Sequence, residues 1–321
     1  MKRKLLILLR IIVSFGLLGG LFWIMRKDAG KTLTIITSCD LKYLLIALGI
    51  FMCNQAVLAY RMKIVFHGEN LAITFRESFQ LNFIGYFFNN FLPTAVGGDL
   101  IKAHCASQTN DNRLGSYASV MMDRIIGLYS FLIVAAIALI VNREGFQIAA
   151  VRSLVFIFLV LGIAMFITIT NKRVAIMMEH FFSMIKMGGL GEKLDSLYKI
   201  VRDYKNRMDV VGKSLLISLF SQTIYFVTIY MFFLALGTRI NLGNIFLAMP
   251  VVTFVSMIPS IGGLGVREGA IVAFFSPLAG RDTAFAVSLL LLFGLFVVSF
   301  IGGIFYLHWS LSVKRRKERE R

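Results

Sequence analysis

Residues 89–104 read NNFLPTAVGGDLIKAH, and residues 255–270 read VSMIPSIGGLGVREGA. Each runs from apolar residues through Pro and Ser or Thr to Gly-Gly, with a basic residue four positions beyond the second glycine. Proline removes a backbone donor, and glycine accepts dihedrals that other residues avoid, so such a phrase ends helices. Both copies nevertheless lie in strongly apolar regions. Backbone freed from a helix at bilayer depth must be buried in protein or line a wet cavity. The chain has four prolines, Pro93, Pro250, Pro259 and Pro277, and two of them occupy matching places in the two phrases. The spacing differs by one residue, since three residues separate Pro93 from Gly97 and two separate Pro259 from Gly262.

The rest of the composition fits a membrane setting. Of 321 residues, 58% are hydrophobic, and the mean hydropathy is +0.78. Six apolar runs approach the roughly 20 residues needed to cross a bilayer core: 5–24, 41–60, 118–141, 151–170, 214–236 and 284–308. The basic start and long apolar run of the first read as a retained helix, because no Ala-x-Ala cleavage site follows. The net charge of +17 is read as loops facing anionic lipid, not as a nucleic-acid surface, since no zinc-finger or RNA-binding pattern accompanies it. Cys39, Cys53 and Cys105 have neither disulfide nor metal spacing, and no cofactor is expected.

Basic residues orient the chain. They concentrate at Lys2, Arg3 and Lys4, in the loop after the second run (Arg61, Lys63, Arg76), across 172–213, and in the tail from Lys314. The positive-inside rule then places both termini in the cytoplasm and requires an even number of crossings. Six spans satisfy this if 79–117 and 245–280 each enter and leave on one side, as re-entrant helical hairpins bent at Pro93, Gly97 and Gly98 and at Pro259, Gly262, Gly263 and Gly265. The expected fold is an all-α polytopic membrane protein forming one transmembrane domain, 1–313, with a basic cytoplasmic tail, 314–321. The repeats, about 1–141 and 151–313, each contain three crossings, so they run in opposite directions, as in many secondary transporters. Within the second repeat, 172–213 carries an apolar stripe of Leu194, Leu197, Val201, Tyr204, Met208 and Val211 opposite a basic face. That pattern predicts an amphipathic helix on the inner leaflet.

Charges inside apolar segments cost about 2.5–3.5 kcal/mol each at the centre of a span, so they mark a candidate site. They are Asp99 and Lys102 after the first bend, Asp123 and Arg124 in the third span, and Arg267 and Glu268 after the second bend. Asn89, Asn90, Thr94 and Ser260 add neutral polar groups. Lys102, Arg124 and Arg267 could hold an anionic headgroup, with helix starts assisting. Asp99, Asp123 and Glu268 would position the cations or carry protons. The alternative is that the charges only pair with one another and hold the bundle together. No nucleophile elbow, P-loop, His-Glu-x-x-His or dinucleotide fingerprint is present, so catalysis is not expected. His104 and Cys105 are adjacent on a helix and point about 100° apart.

These motifs, with SVMMDRIIGLYSF at 119–131 between them, resemble the transmembrane region of lysylphosphatidylglycerol synthases over roughly 5–310. The resemblance implicates Pro93, Gly97, Gly98, Asp99, Lys102, Asp123, Arg124, Pro259, Gly262, Gly263, Gly265, Arg267 and Glu268. In two-domain members it implies a soluble domain that transfers an amino acid from tRNA to phosphatidylglycerol and a membrane region that moves lipid between leaflets. That soluble domain is not expected here, and for single-domain relatives the resemblance implies other substrates, including polyprenyl phosphates. The sequence therefore points to a flippase-like lipid transporter of the cytoplasmic membrane that handles anionic phospholipids or polyprenyl-phosphate-linked lipids. An integral-membrane enzyme acting on a lipid headgroup, or a scaffold for a lipid- or glycan-synthesising enzyme, is the alternative. The expected partners are anionic lipids; a synthetic enzyme or a second copy of the chain is also compatible.

Overall fold

The computed structural model describes residues 29–92, 97–110, 112–141, 149–183, 190–258, 260 and 262–319. The first apolar run, Pro93, Thr94 and Pro259 lie outside the described residues. Every regular element among those described is helical. Helix α1 covers Ala29–Thr37, α2 Leu41–Gly68, α3 Phe75–Phe91, α4 Gly97–Ser107, α5 Arg113–Val141 and α6 Ala149–Thr170. They are followed by α7 at Lys172–Ser183, α8 at Leu190–Asp203, α9 at Met208–Ala235, α10 at Leu242–Val255, α11 at Val266–Ala279 and α12 at Arg281–Arg319.

Among the described residues five helices, α2, α5, α6, α9 and α12, are long and apolar enough to cross a membrane. The four helices flanking the two phrases, α3, α4, α10 and α11, have 17, 11, 14 and 14 residues. At about 1.5 Å per residue they fall short of a hydrocarbon core of about 30 Å. Their starts are written locally. Thr74 and Glu77 form a reciprocal capping box at α3. Asn241 accepts from the Gly243 amide at 2.8 Å to open α10. Each satisfies amide donors that a helix start leaves over.

The packing pairs elements from the two halves. Helices α2 and α9 lie antiparallel: the Asp40 amide donates to the Ala235 carbonyl at 2.8 Å at one end. At the other, a Cβ on Gly68 would meet Val210 at 3.0 Å. Helix α3 packs on α12 as α10 packs on α5, and α4 packs on α5 as α11 packs on α12. The α3–α12 seam is aromatic, with Phe79, Phe83 and Phe305 in one cluster and Phe88 edge-on to Tyr306. Gly302 lets α12 press against the Phe83 carbonyl. The main core gathers Phe226, Phe232, Met249, Phe275 and Leu291 from α9 to α12. Outside it, α6 and α12 present exposed Phe156, Leu161, Phe166, Phe293, Phe300 and Leu307, the surface that lipid chains require.

Two helix boundaries depart from expectation. Helix α2 continues to Gly68, so Arg61 lies within a span and not in a loop, and α9 begins at Met208. The stripe predicted to rest on the leaflet packs inward instead. Val201 and Tyr204 are buried against Val65, Ala118, Met122 and Ile126, and Leu197 packs beside them. The helix breaks into a short 3-10 turn at Tyr204–Asn206, and Met208 is exposed. The physical reason is the anchoring of Tyr204, whose hydroxyl donates to the Val65 carbonyl at 3.0 Å. Arg207 then pairs with Glu69 at 3.1 Å and Asp203 at 3.3 Å.

That junction makes a pH prediction. Burial pushes the Glu69 carboxyl, just beyond the end of α2, above its ordinary range, while the Arg207 guanidinium opposes the shift and Asp203 adds to it. In the interval between its unfolded and folded values, the folded chain holds more of this proton than the unfolded one, so stability falls as pH rises through that interval. Glu69→Gln removes the titration. Thermal melts of purified protein at pH values from about 4.3 upward are expected to give a flatter profile for the variant than for the wild type. Parallel profiles would contradict this assignment.

Candidate functional site

A cavity of about 300 Å³ lies where the two halves meet. It is bounded on α2 from Phe51 to Arg61, on α5 from Arg124 to Phe131 and on α9 from Ser221 to Tyr225. Each stretch falls near the middle of its helix, so the cavity sits about halfway along the bundle. The ends of both short-helix pairs reach it: Tyr86, Asn89 and Asn90 close α3, while Ser256, Ser260 and Gly262 follow α10.

The two phrases touch one another here. Gly262 has φ +59°, a left-handed conformation. A Cβ at this position would lie 2.8 Å from the Asn90 Cα. Only glycine meets both demands without strain. Asn89 Oδ1 accepts from the Gly98 amide at 2.9 Å, and Asn90 donates to the Ser299 hydroxyl and the Leu295 carbonyl. The α3 end is thereby tied to the start of α4 and to α12.

Three guanidiniums line the cavity, each differently partnered. Arg61 is clamped: its Nε and Nη2 donate to Asp123 at 2.8 and 2.9 Å, and its Nη1 donates to Ser218 at 3.0 Å. Arg267 donates from Nε and Nη2 to Glu268 at 3.1 and 2.8 Å. Arg124 has only an ion pair at 3.6 Å to Asp99, beyond hydrogen-bond distance, and its side chain is 41% exposed. Arg124 is thus the guanidinium whose donors remain open among the described residues.

The carboxylates stand behind these cations, and among the described residues none lines the cavity. Glu268, fully buried, also accepts from the Gly265 amide at 2.6 Å and so caps α11. Gly265 itself has φ +79°. Asp99 is buried, with Lys102 Nζ 3.9 Å away, and its Oδ2 has no hydrogen-bond partner among the described residues. Lys102 is buried too, its chain crossing Gly85, where a Cβ would come within 2.9 Å of the Lys102 Cε.

The structure therefore brings Asn90, Arg124, Ser260, Gly262, Gly263 and Arg267 to the cavity wall. It sets Asp99, Lys102, Asp123, Glu268, Gly97, Gly98 and Gly265 outside the lining. Ser260 Oγ is buried and has no hydrogen-bond partner among the described residues. His104 is exposed and Cys105 buried, so this adjacent pair points apart.

Arg61 is the cavity-lining charge that sequence reading placed in a loop. Asn54, Tyr86, Ser221, Gln222 and Tyr225 complete the wall and were not singled out. Ser221 donates to Asn54 at 2.8 Å, and Gln222 donates to Ser130 at 3.1 Å. A signal was present: Ser214, Ser218 and Ser221 recur at steps of four and three, the spacing of one close-packed helix face.

Residues 7–304 match the family described as lysylphosphatidylglycerol synthase TM region. The chain belongs to that family. A UPF0104 membrane protein of Pyrococcus horikoshii is 26% identical, over 99% of this chain and 98% of its own length. A UPF0104 membrane protein of Methanothermobacter thermautotrophicus is 22% identical, over 83% of this chain and 84% of its own length. No solved structure matches the chain. Membership of the lysylphosphatidylglycerol synthase TM family and the apolar helices together make this a multi-pass membrane protein.

Proposed function

We propose that this protein moves an anionic lipid between the leaflets of the cytoplasmic membrane, binding its headgroup in the central cavity while the chains stay in the bilayer. The carrying observation is the cavity itself: a space about halfway along the bundle, walled largely by apolar and aromatic side chains, into which Arg61, Arg124 and Arg267 bring charge, with no carboxylate on its wall among the described residues. Arginine presents a planar set of donors matched to phosphate. In this reading the short-helix pairs are re-entrant hairpins, six spans cross the membrane, and both termini are cytoplasmic. The paired contacts support it, because an inverted repeat pairs α3 with α12 where it pairs α10 with α5, and sets α2 antiparallel to its counterpart α9. Rocking of one half against the other would expose the cavity to each leaflet in turn. The name of the family, which couples its membrane region to a phospholipid synthase, agrees with a lipid cargo.

The test is translocation of fluorescent phosphatidylglycerol in liposomes containing the purified protein. Headgroup movement above that of empty liposomes is expected, and Arg124→Gln is expected to slow it at least tenfold. Arg124 is a suitable target because its partly exposed side chain makes no hydrogen bond among the described residues. Equal rates for the wild type and the variant would remove Arg124 from the site. Equal rates with and without protein would remove the reading. A covalently altered lipid after incubation, detected by mass spectrometry, would favour an enzyme instead.

A further inference from the structure

We infer that a second cleft, separate from the central cavity, binds a phosphate-bearing ligand where α3, α4 and α12 meet at one end of the bundle. Its volume is about 510 Å³, and it shares no lining residue with the central cavity. Binding here stands whether or not the protein transports lipid.

The cleft has an apolar floor and a polar rim. Leu81 and Ile84 of α3 and Cys105 of α4 are buried and form the floor. On the rim, Arg76 and Gln80, one helical turn apart on α3, stand across from His308 and Trp309 of α12. Among the described residues, the side chains of Arg76, Gln80 and His308 make no hydrogen bond or ion pair. Trp309 makes only a ring stack on Tyr306, with centroids 6.2 Å apart. Guanidinium, amide and indole are all N–H donors, and a neutral imidazole carries one more. Unpaired donors converging from two helices are what phosphate oxygens satisfy, most strongly at the guanidinium. Arg76 is also the second residue of α3, at the end of a helix that disfavours cations and attracts anions. A bound anion offsets that conflict. Glu77 is the one carboxylate on the wall among the described residues. It is turned to the helix start, where its Oε2 accepts from the Thr74 amide at 2.8 Å and the Thr74 hydroxyl at 2.7 Å. The Thr109 and Ser312 hydroxyls, also on the wall, already donate to carbonyls of neighbouring turns.

Two sources of phosphate fit this chemistry. The apolar span of α12 ends at Ser312, so Trp309 sits where headgroups meet hydrocarbon, the usual station of tryptophan. A phospholipid places its phosphate on the rim and the start of its chains over the floor. A soluble phosphate ester uses the rim alone. Either ligand ties the start of α3 to α12, while the far end of α3 walls the central cavity.

The experiment reads the cleft through Trp309. The chain has two tryptophans, so Trp23→Phe leaves Trp309 as the sole indole. This full-length variant is placed in phosphatidylcholine liposomes, and brominated phosphatidic acid or brominated phosphatidylcholine is titrated in. Quenching of Trp309 emission measures which lipid lies against it. Phosphatidic acid, whose phosphate carries no choline, is expected to be favoured about tenfold, and Arg76→Gln to abolish the preference, as the loss of a charge-assisted contact requires. Gln80→Leu, which leaves the charge unchanged, is expected to weaken it as well. A preference that survives both substitutions comes from the basic tail beyond Ser312 and overturns the site. Glycerol 1-phosphate added from solution distinguishes the sources. A change in Trp309 emission on its addition, lost in Arg76→Gln, together with equal quenching by the two lipids, assigns the cleft to soluble phosphate esters. Selective quenching by phosphatidic acid without that change assigns it to lipid. Equal quenching and no response to glycerol 1-phosphate overturn the inference.

Discussion

Asp123→Ala is expected to destabilise the protein by about 3–5 kcal/mol, the cost of stranding a buried charge. Arg61 would lose its two-point partner and keep only the Ser218 hydroxyl, while both members of the pair are buried. The pair itself need not be strongly stabilising, because desolvation offsets most of the attraction. The double replacement Arg61→Met, Asp123→Leu is therefore expected to recover most of the loss in stability while removing a guanidinium from the cavity. Lys199→Ala provides the contrast. Its partner Asp195 lies one helical turn away and the Lys199 side chain is 55% exposed, so an effect of about 0.3–0.5 kcal/mol is expected. Thermal unfolding in detergent, with the monodisperse fraction after size-exclusion chromatography, measures all three. If Asp123→Ala melts with the wild type, the pair is not closed in the way described.

The second large effect is expected from Gly98→Ala. A Cβ at Gly98 would land on the Gly85 carbonyl oxygen and lie 2.6 Å from Asn89 Cγ and 2.7 Å from the Asn89 amide nitrogen. Two of these obstacles are backbone and cannot rotate away. Overpacking of this kind costs about 1–3 kcal/mol or more. Here the strain would push α3 away from α4 at the point where Tyr86, Asn89 and Asn90 form the cavity wall. On the transport reading proposed above, lipid movement is thus expected to fall along with thermal stability. Gly49→Ala is the control: it also lies within a helix, but a Cβ there meets nothing within 4 Å, so alanine should stabilise by about 0.5–1 kcal/mol. Similar melting for Gly98→Ala and Gly49→Ala would show that α3 and α4 are not in backbone contact.

The long apolar helices were legible because their length and hydropathy are local properties. Their ends were less so. Arg61 and Lys213 bound the apolar runs 41–60 and 214–236 by composition, yet the helices continue through them. Arg61 is tolerated inside a span because Asp123 closes on it, and that partner lies 62 positions away. No local reading can see such a pairing. The glycines of the second phrase were legible for the opposite reason, since the positive φ of Gly262, Gly263 and Gly265 is a backbone property of the residues themselves, whereas Gly97 and Gly98, expected at a bend, open α4 instead. That Gly262 would lie against Asn90 was not legible, because it depends on how the two halves dock. The stripe on α8 was read correctly as a helix face but assigned the wrong neighbour. Periodicity says that a face is covered, not by what, and here α5 does the covering.

The clasp between α2 and α9 has a consequence for how such a molecule could move. It is fastened at both extremities, by the Asp40 amide on Ala235 and by the close approach of Gly68 to Val210, and stitched in between by Ser221 to Asn54 and Arg61 to Ser218. Prising those two rods apart would break these polar stitches, at a cost for each buried group left unpaired. Displacement of one half against the other therefore has to swing around this line as an axle, with the largest travel at the helices farthest from it.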